Sequence, residues 1–319
     1  MFPLPLRFLA CSALFVVSGL FPPPVVAHSN LAYIIINGEV FDGFDPRPGK
    51  SNSAARVGWS SANPDAGYVG PANFTTPEIA CHLSGAPAPA HAPVRAGDKI
   101  HVQWNGWPFG HPGPVLSYLA PCEGTSDGCA SVDKTKLLWT KIDDSAPAFI
   151  GLTKTGEYSS PPGEWASHIM INNNNSWSVH VPSGLRPGPY VLRHEAIALH
   201  FAKKEGGAQH YPLCINLWVE PAAAGTKTLP FSLDGGVPAT KLYKANDPGV
   251  LIDVFQPLTT YVVPGPSIAA NAEPVRHAMQ TQSVAVWGGK AVKVVGTRTA
   301  PFVAGRTPAA RSYPPQLRT

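Results

Sequence analysis

The chain has 319 residues, of which 36 are proline and 30 are glycine, and only 14% are charged, against about 25% in an ordinary protein. Frequent proline excludes a helical bundle, and the low charge excludes a long coiled coil, which needs Glu- and Lys-rich heptads. Hydrophobic residues reach 44% and include eight tryptophans, so the chain has enough apolar surface to fold. We therefore expect an all-β, loop-rich protein with one large domain.

The first 27 residues have the order of a secretory signal peptide. Arg7 precedes an apolar run, Phe8–Phe21, and the small-residue sequence Val25–Ala27 follows. The run is too short to span a bilayer as a helix, which takes about 20 residues. No later segment is longer and apolar, so we expect a soluble, secreted, extracellular protein. Cleavage after Ala27 makes His28 the first residue of the mature chain.

Short β-branched and aromatic runs then alternate with turn residues. Ala32–Ile36 leads into Asn37-Gly38, the strongest short signal for a β-hairpin. Further strands are predicted at residues 100–104, 177–181, 190–200, 214–219 and 250–255. The best short helical candidate is Lys134–Leu138. This pattern predicts an immunoglobulin- or fibronectin III-like β-sandwich with long loops and little helix.

The cysteines suit an oxidising compartment. Cys11 leaves with the signal peptide, and the remaining four can form two disulfides with three possible connectivities. Cys122 and Cys129 bracket a turn-rich loop, so we expect them to pair locally. Cys81 then pairs with Cys214.

Two sequons also fit a secreted chain. Asn73 and Asn174 each begin an Asn-x-Ser/Thr sequence, and we expect both to be glycosylated on surface loops.

The composition shifts after residue 268. From Ala269 onward the chain has seven Lys or Arg residues and one acidic residue, Glu273, so this tail carries +6 and the rest of the chain −2 of the net charge of +4. We predict a domain at residues 28–268 and a basic, disordered tail at 269–319. Contact of the tail with anionic cell-wall polymers is an alternative.

An amino-terminal His28 offers two nitrogen donors. A terminal amine has a pKa of about 8, so it deprotonates readily and can bind a metal together with the ring of the same residue. One more imidazole gives a planar three-nitrogen set that suits Cu(II). The chain has 11 histidines, and spacing alone does not identify the third ligand.

Three segments carry a resemblance to a known family. Trp107–Val115 reads WPFGHPGPV, residues 182–200 read PSGLRPGPYVLRHEAIALH, and residues 207–217 read GAQHYPLCINL. In this order, after a histidine that follows a signal peptide, they resemble the cellulose-active fungal lytic polysaccharide monooxygenases of auxiliary activity family nine, once classed as glycoside hydrolase family 61. The resemblance covers about residues 28–266. It implies a copper oxidoreductase that hydroxylates C1, C4 or both beside the glycosidic bond of cellulose or related β-1,4-glucans, using O2 or H2O2 and an external reductant.

The resemblance also implies roles for individual residues. The amine and ring of His28 and the ring of His111 hold one copper ion, which cycles between Cu(II) and Cu(I), with the phenol of Tyr211 at a long axial position. His200 and Gln209 hydrogen-bond the oxygen co-substrate and supply a proton. A metal is needed because no side chain alone generates a species reactive enough to break a strong C–H bond.

Substrate contact is expected at surface tyrosines. Tyr243 and Tyr261 match positions where the family carries them, and their rings would stack on the sugar face. The segment Phe41–Tyr68 corresponds to a variable surface loop without a central tyrosine, so affinity there is expected to be weaker. Ser29 and Leu213 depart from the family pattern without removing a ligand.

The sequence leaves two other functions open. A non-catalytic copper-binding protein would keep His28 and His111 without turnover, although Gln209, Tyr211 and His200 argue against it. A glycosidase needs two carboxylates in one cleft, for which the sparse acidic residues give no motif. We expect a monomer whose partners are a β-1,4-glucan and a small reductant or redox protein, with no nucleic-acid or membrane partner.

Overall fold

The computed structural model describes residues 29–65, 67–145 and 162–275, and the backbone of residues 287–288, 292–295 and 298–301. The predicted signal peptide, His28 and most of the tail lie outside the described residues. The strands are β1 Leu31–Ile36, β2 Glu39–Asp42, β3 Ala92–Arg95, β4 Lys99–Trp104, β5 Val115–Pro121, β6 Leu138–Asp143, β7 Ser176–His180, β8 Gly188–Ala198, β9 Gln209–Glu220, β10 Val237–Pro238, β11 Trp287–Gly288, β12 Val292–Val295 and β13 Arg298–Pro301. Two short helices, α1 Glu78–Cys81 and α2 Ala166–Asn172, and 3-10 turns at Pro71–Asn73, Lys134–Lys136 and Ala239–Lys241 complete the described elements.

The strands form a two-sheet sandwich, which confirms the predicted all-β class. One sheet has five strands in the order β11-β2-β1-β4-β7, and the other has six in the order β10-β6-β5-β8-β9-β3. Pairing is antiparallel except at β11–β2 and β3–β9. β1 and β2 form the hairpin that Asn37-Gly38 predicts, with Ile36 paired to Glu39. β12 and β13 form a separate antiparallel pair.

The main core lies between the two sheets. The alternating apolar residues of β4, Ile100, Val102 and Trp104, are fully buried against residues of β8 such as Leu192 and Ala196. Because successive side chains of a strand point to opposite faces, residues between these on β8 face the other side.

That other side of the six-stranded sheet is also buried. Val191 and Ile197 of β8 belong to a second core with Ile79 of α1, and loop residues such as Trp165 and Tyr261 complete it. Since loops cover this face, β8 is buried on both faces rather than half-exposed.

Two local predictions need correction, and some elements were not predicted. The predicted strand at 250–255 is a series of turns, because the carbonyl of Asp247 accepts hydrogen bonds from the amides of Val250 and Leu251. The helical candidate at 134–138 is a 3-10 turn that ends before β6 begins at Leu138. Helix α2 and strand β5 were not predicted.

Both predicted disulfides are present. Cys81 pairs with Cys214 and ties α1 to β9, and Cys122 pairs with Cys129 across a separation of 7 residues. The long-range bond constrains the unfolded chain most, since the entropy of loop closure grows with loop length. The sequon residues Asn73 and Asn174 are both partly exposed, and their glycosylation stays a prediction.

Contacts of the domain continue beyond the predicted boundary at residue 268. The amide of Ala269 donates to the carbonyl of Lys141, and the carboxylate of Glu273 accepts from the amide of Ser183. The predicted disorder of the tail remains a prediction. Neither helix in the described part of the chain has the length or apolar character needed to cross a bilayer.

Candidate metal centre

His111 lies in the loop between β4 and β5, which is fixed to the core by tryptophan. The indole nitrogen of Trp107 donates to the carbonyl of His111 at 2.9 Å, and the amide of His111 donates to the carbonyl of Pro108 at 3.0 Å. The Trp107 ring packs edge to face on Trp104 of β4, with centroids 5.5 Å apart. The imidazole is therefore held at one end of the sandwich while remaining partly exposed.

The same loop lies directly against the end of β8. The amide of Leu199 donates to the carbonyl of Pro112 at 2.9 Å. Gly113 is required here because a Cβ would collide with the carbonyl oxygen of Ile197. This close approach places the ring of His111 3.9 Å from the ring of His200, at an interplanar angle of 37°.

Gln209 and Tyr211 complete the group from β9. They lie two residues apart and so share a face of the strand. The hydroxyl of Tyr211 donates to Oε1 of Gln209 at 3.0 Å, and the Tyr211 ring packs edge to face on Trp107 at 5.0 Å. The structure thus brings together His111, His200, Gln209 and Tyr211.

Burial sets the charge of these groups. It lowers the pKa of His200, so its imidazole is neutral near pH 7, and Nδ1 is buried without a hydrogen-bond partner among the described residues. Burial raises the pKa of Tyr211 well above its usual value, so the phenol keeps its proton. Neutral nitrogen and oxygen donors of this kind suit a transition metal.

The described residues do not by themselves form a complete metal site. No group of three or more His, Cys, Asp or Glu side chains is placed to hold a metal within the described ranges. His28, the predicted bidentate ligand, lies outside these ranges. The next residue is firmly placed: the Ser29 hydroxyl donates to Oδ1 of Asn105 at 2.9 Å and also to the carbonyl of Gly106, in the loop that carries His111. The residues present therefore fit a copper site completed by His28.

The predicted substrate tyrosines are not surface residues, and that prediction is wrong. Tyr243 is 3% exposed, and its hydroxyl contacts Glu195 and the hydroxyl of Tyr118. Tyr261 is 8% exposed and donates to the carbonyl of Gly249 at 2.8 Å. Both phenols are covered by packing in the second core, so neither ring offers a face to a polymer.

Three exposed aromatic rings near the site were not predicted from the sequence. Tyr68 is 39% exposed beside Tyr211, Phe109 is 47% exposed two residues before His111, and Phe201 is 62% exposed directly after His200. For Phe109 and Phe201 the available signal was their position in the sequence beside His111 and His200.

Comparison with known proteins identifies the family of the chain. The family model described as Auxiliary Activity family 9 (formerly GH61) matches residues 28–261. AA9 family lytic polysaccharide monooxygenase A of Talaromyces verruculosus is 43% identical over 250 residues, which is 78% of this chain and 71% of that protein.

Solved structures agree with the sequence relatives. The extended catalytic domain of Hypocrea jecorina LPMO9A is 41% identical with a TM-score of 0.70, over 83% of this chain and 99% of that chain. A cellulose-active polysaccharide monooxygenase from M. thermophila is 25% identical with a TM-score of 0.59, over 76% and 98% of the two chains. Members of this family are secreted fungal enzymes that depend on copper and cleave polysaccharides by oxidation. The chain belongs to auxiliary activity family 9, the lytic polysaccharide monooxygenases.

Proposed function

We propose that this chain is a secreted copper enzyme that cleaves cellulose or a related β-1,4-glucan by oxidising C1, C4 or both beside the glycosidic bond. The observation that carries the proposal is the pairing of the His111 and His200 rings at 3.9 Å beside the hydrogen-bonded Gln209 and Tyr211. O2 or H2O2 serves as co-substrate, and a small reductant or redox protein supplies electrons.

We infer that the amine and ring of His28, the ring of His111 and the phenol of Tyr211 would hold the copper. Bound copper supplies one-electron redox chemistry that side chains lack. Support for His28 comes from the next residue, Ser29, whose hydroxyl bonds to Asn105 and Gly106 join it to the loop of His111.

His200 and Gln209 are assigned to the co-substrate. The ring of His200 lies 3.9 Å from the ring of His111 and is only partly buried, so it can hold or transfer a proton beside the metal. Gln209 uses Oε1 to accept from Tyr211, which leaves its amide nitrogen to donate. The bond between Gln209 and Tyr211 also fixes both side chains, so little reorganisation is needed when co-substrate arrives.

Support for a neutral glucan comes from the loop that carries His111. The loop of residues 105–114 contains no Asp, Glu, Lys or Arg. An uncharged loop suits a polymer that carries no charge. The cellulose-active structural relative points in the same direction.

The test uses protein that begins at His28, loaded with one equivalent of copper and incubated with cellulose and ascorbate. Mass spectrometry should show aldonic acids for C1 oxidation or 4-keto sugars for C4 oxidation. These products should disappear with a chelator and in His111→Ala. Sugars of native mass only, released equally with the chelator present, would overturn the proposal.

A further inference from the structure

A cavity lies along the β6 edge of the six-stranded sheet, away from the candidate metal centre. Its volume is about 400 Å³, within the range of about 300–1,000 Å³ that is usual for small-molecule sites. Strand β6 forms its floor, and its two walls are the loop of residues 230–235 and the segment of residues 266–271. In the sheet order β5 separates β6 from β8, the strand that leads to His200. The cavity is therefore distinct from the site already described.

Both walls of the cavity are held in place by hydrogen bonds to β6. The hydroxyl of Thr140 donates to the carbonyl of Leu233 at 3.1 Å, and the amide of Ala269 donates to the carbonyl of Lys141 at 2.8 Å. The side chain of Asn271 joins the two walls, since its amide donates to a carbonyl of the other wall at 2.8 Å. The cavity is thus formed before a ligand arrives, which lowers the entropic cost of binding.

Lys141 is a buried cation in the floor of the cavity. It is 2% exposed, and its ammonium donates to the carbonyl of Pro264 at 2.8 Å. Gly265 permits this approach of the chain, because a Cβ there would lie 2.7 Å from the hydroxyl of Tyr118. An ammonium has three N–H donors, and Pro264 is its one hydrogen-bond partner among the described residues, so two donors remain for a ligand.

Trp139 adds a second buried donor to the floor. Its side chain is fully buried, and its indole nitrogen has no hydrogen-bond partner in the described part of the chain. Trp139 and Lys141 are two residues apart on β6 and so share a face of the strand. Buried donors without partners are rare in folded proteins, and these two line the same cavity. The floor therefore favours a ligand that carries hydrogen-bond acceptors.

The charges of the cavity favour a neutral ligand. Among the described residues that line it, Lys141 is the one cation and Asp234, in the wall, is the one anion. An organic anion would approach Asp234 and also the buried carboxylates of Glu195 and Asp143, which already interact with the charge of Lys141. A hydroxyl group both donates and accepts, so a neutral polyhydroxy compound suits the donors of the floor and the carboxylate of the wall.

We propose that this cavity binds a soluble oligosaccharide, the class of product that cleavage of a glucan releases, at a site separate from the metal centre. Phe231 and Pro266 supply apolar parts of the walls, and Ser267 is an exposed polar residue of the second wall. Apolar walls with a few polar groups are typical of small-molecule sites. The choice of ligand rests on the proposed function, because that function supplies soluble glucan fragments.

Isothermal titration with cellotriose tests the cavity. Copper-loaded protein that begins at His28 is compared with Ala270→Trp, which fills the cavity from an exposed position of the wall. We expect binding by the parent protein and an affinity weaker by about tenfold or more in the variant. Asp234→Asn keeps the shape of the wall and removes its charge, so it should weaken binding by about 3- to 10-fold.

Matched variants separate the cavity from other surfaces. Ala224→Trp places the same ring on an exposed alanine of another loop and should bind cellotriose like the parent protein. His111→Ala should also bind within about twofold, because the cavity does not involve the metal centre. Ala270→Trp should keep the urea midpoint of the parent protein, since substitutions at exposed positions change stability little. It should also release oxidised sugars from cellulose within about twofold of the parent rate.

The outcomes distinguish this inference from the proposed function. If Ala270→Trp loses cellotriose binding while the parent protein releases no oxidised sugars, the cavity stands as a saccharide site and the proposed function fails. If the parent protein releases oxidised sugars but does not bind cellotriose, or if Ala270→Trp binds it within about twofold, the cavity site is wrong and the proposed function stands. An equal loss of binding in Ala224→Trp would also overturn the cavity site.

Discussion

Two groups of polar side chains lie beside β8 and β9. They differ in whether the protein itself supplies the hydrogen-bond partners of their polar atoms. The first, the buried polar cluster, consists of Arg193, Glu195, His210, Tyr118 and Tyr243. Glu195 accepts from Arg193 at 2.7 and 2.9 Å, contacts Nδ1 of His210 at 2.9 Å and accepts from Tyr243. Its charge is thus satisfied inside the protein.

The second group, the metal-centre residues, consists of His111, His200, Gln209 and Tyr211. These lie at the end of the sandwich, where the rings of His111 and His200 are partly exposed. Nδ1 of His200 has no partner in the described part of the chain. The contrast comes from strand alternation, because His210 points into the cluster while Gln209 and Tyr211, on either side of it, point towards the site.

This contrast shows how the same residue types serve stability or function. Burial alone would raise the pKa of Glu195, but Arg193 and His210 lower it to about 2, so the carboxylate stays charged. The cluster is therefore a rigid support behind β9. The metal-centre residues instead keep donor atoms that an external group can use.

The largest expected effect is on the buried polar cluster. Glu195→Ala leaves the guanidinium of Arg193 buried without its counter-ion, and we expect the free energy of unfolding to fall by about 3–5 kcal/mol. Urea denaturation followed by tryptophan fluorescence measures it. Glu195→Gln, which keeps the shape, should also destabilise the fold. A loss below about 1 kcal/mol for Glu195→Ala would contradict the role of the cluster.

The next effect is on turnover at the site. His200→Gln removes the neutral imidazole assigned to the co-substrate, and we expect oxidised product to fall by about 10- to 100-fold with little change in stability. Product formation at saturating cellulose and the urea midpoint are measured on the same preparation. Undiminished product release would show that His200 takes no part in the reaction.

A buried histidine on β8, His194, should make the stability of the fold depend on pH. Burial lowers the pKa of His194 to about 3, while the unfolded side chain titrates near 6.5. Between these values the unfolded state binds a proton that the folded state does not, so protonation of His194 favours unfolding. The free energy of unfolding is therefore highest with respect to this residue above pH 6.5 and falls as the pH decreases towards 3. Urea midpoints between pH 7 and pH 4 should therefore decline less in His194→Gln than in the parent protein. Identical slopes would refute the assignment.

The smallest effect concerns the anchor of the amino-terminal segment. Ser29→Ala removes the hydroxyl bonds to Asn105 and Gly106, worth about 1 kcal/mol, so copper affinity should fall about fivefold. Calorimetry on protein that begins at His28 measures the change. Ser60→Ala serves as a control, because the Ser60 hydroxyl donates to the carbonyl of Ala86, outside the loop of His111. An unaltered affinity in Ser29→Ala would show that the anchor does not prearrange the site.

Sequence could predict much of the fold because local signals agree with the tertiary structure. Asn37-Gly38 sets a hairpin by turn geometry, and the alternation of Ile100, Val102 and Trp104 marks a strand with one face in the core. The disulfides followed from four cysteines and one short loop. The site residues came from family motifs, and the structure shows that His111, His200, Gln209 and Tyr211 are neighbours.

The misses share a physical cause. Tyr243 and Tyr261 were expected at the surface because they match positions where the family carries surface tyrosines, and that match does not reveal that loops cover the second face of the six-stranded sheet. The run at 250–255 is β-branched and aromatic, yet local hydrogen bonds to Asp247 hold its start in a turn. Burial of a loop residue depends on distant segments that local composition does not encode.

Copper binding tests the central claim most directly. Isothermal titration with Cu(II) should compare protein that begins at His28 with the same protein carrying one additional residue before it. The extension converts the terminal amine to an amide, so we expect one tight site in the first protein and an affinity weaker by about 100-fold or more in the second, which is ~2.7 kcal/mol. Equal affinity in the two proteins would contradict the assignment of copper to His28 and His111.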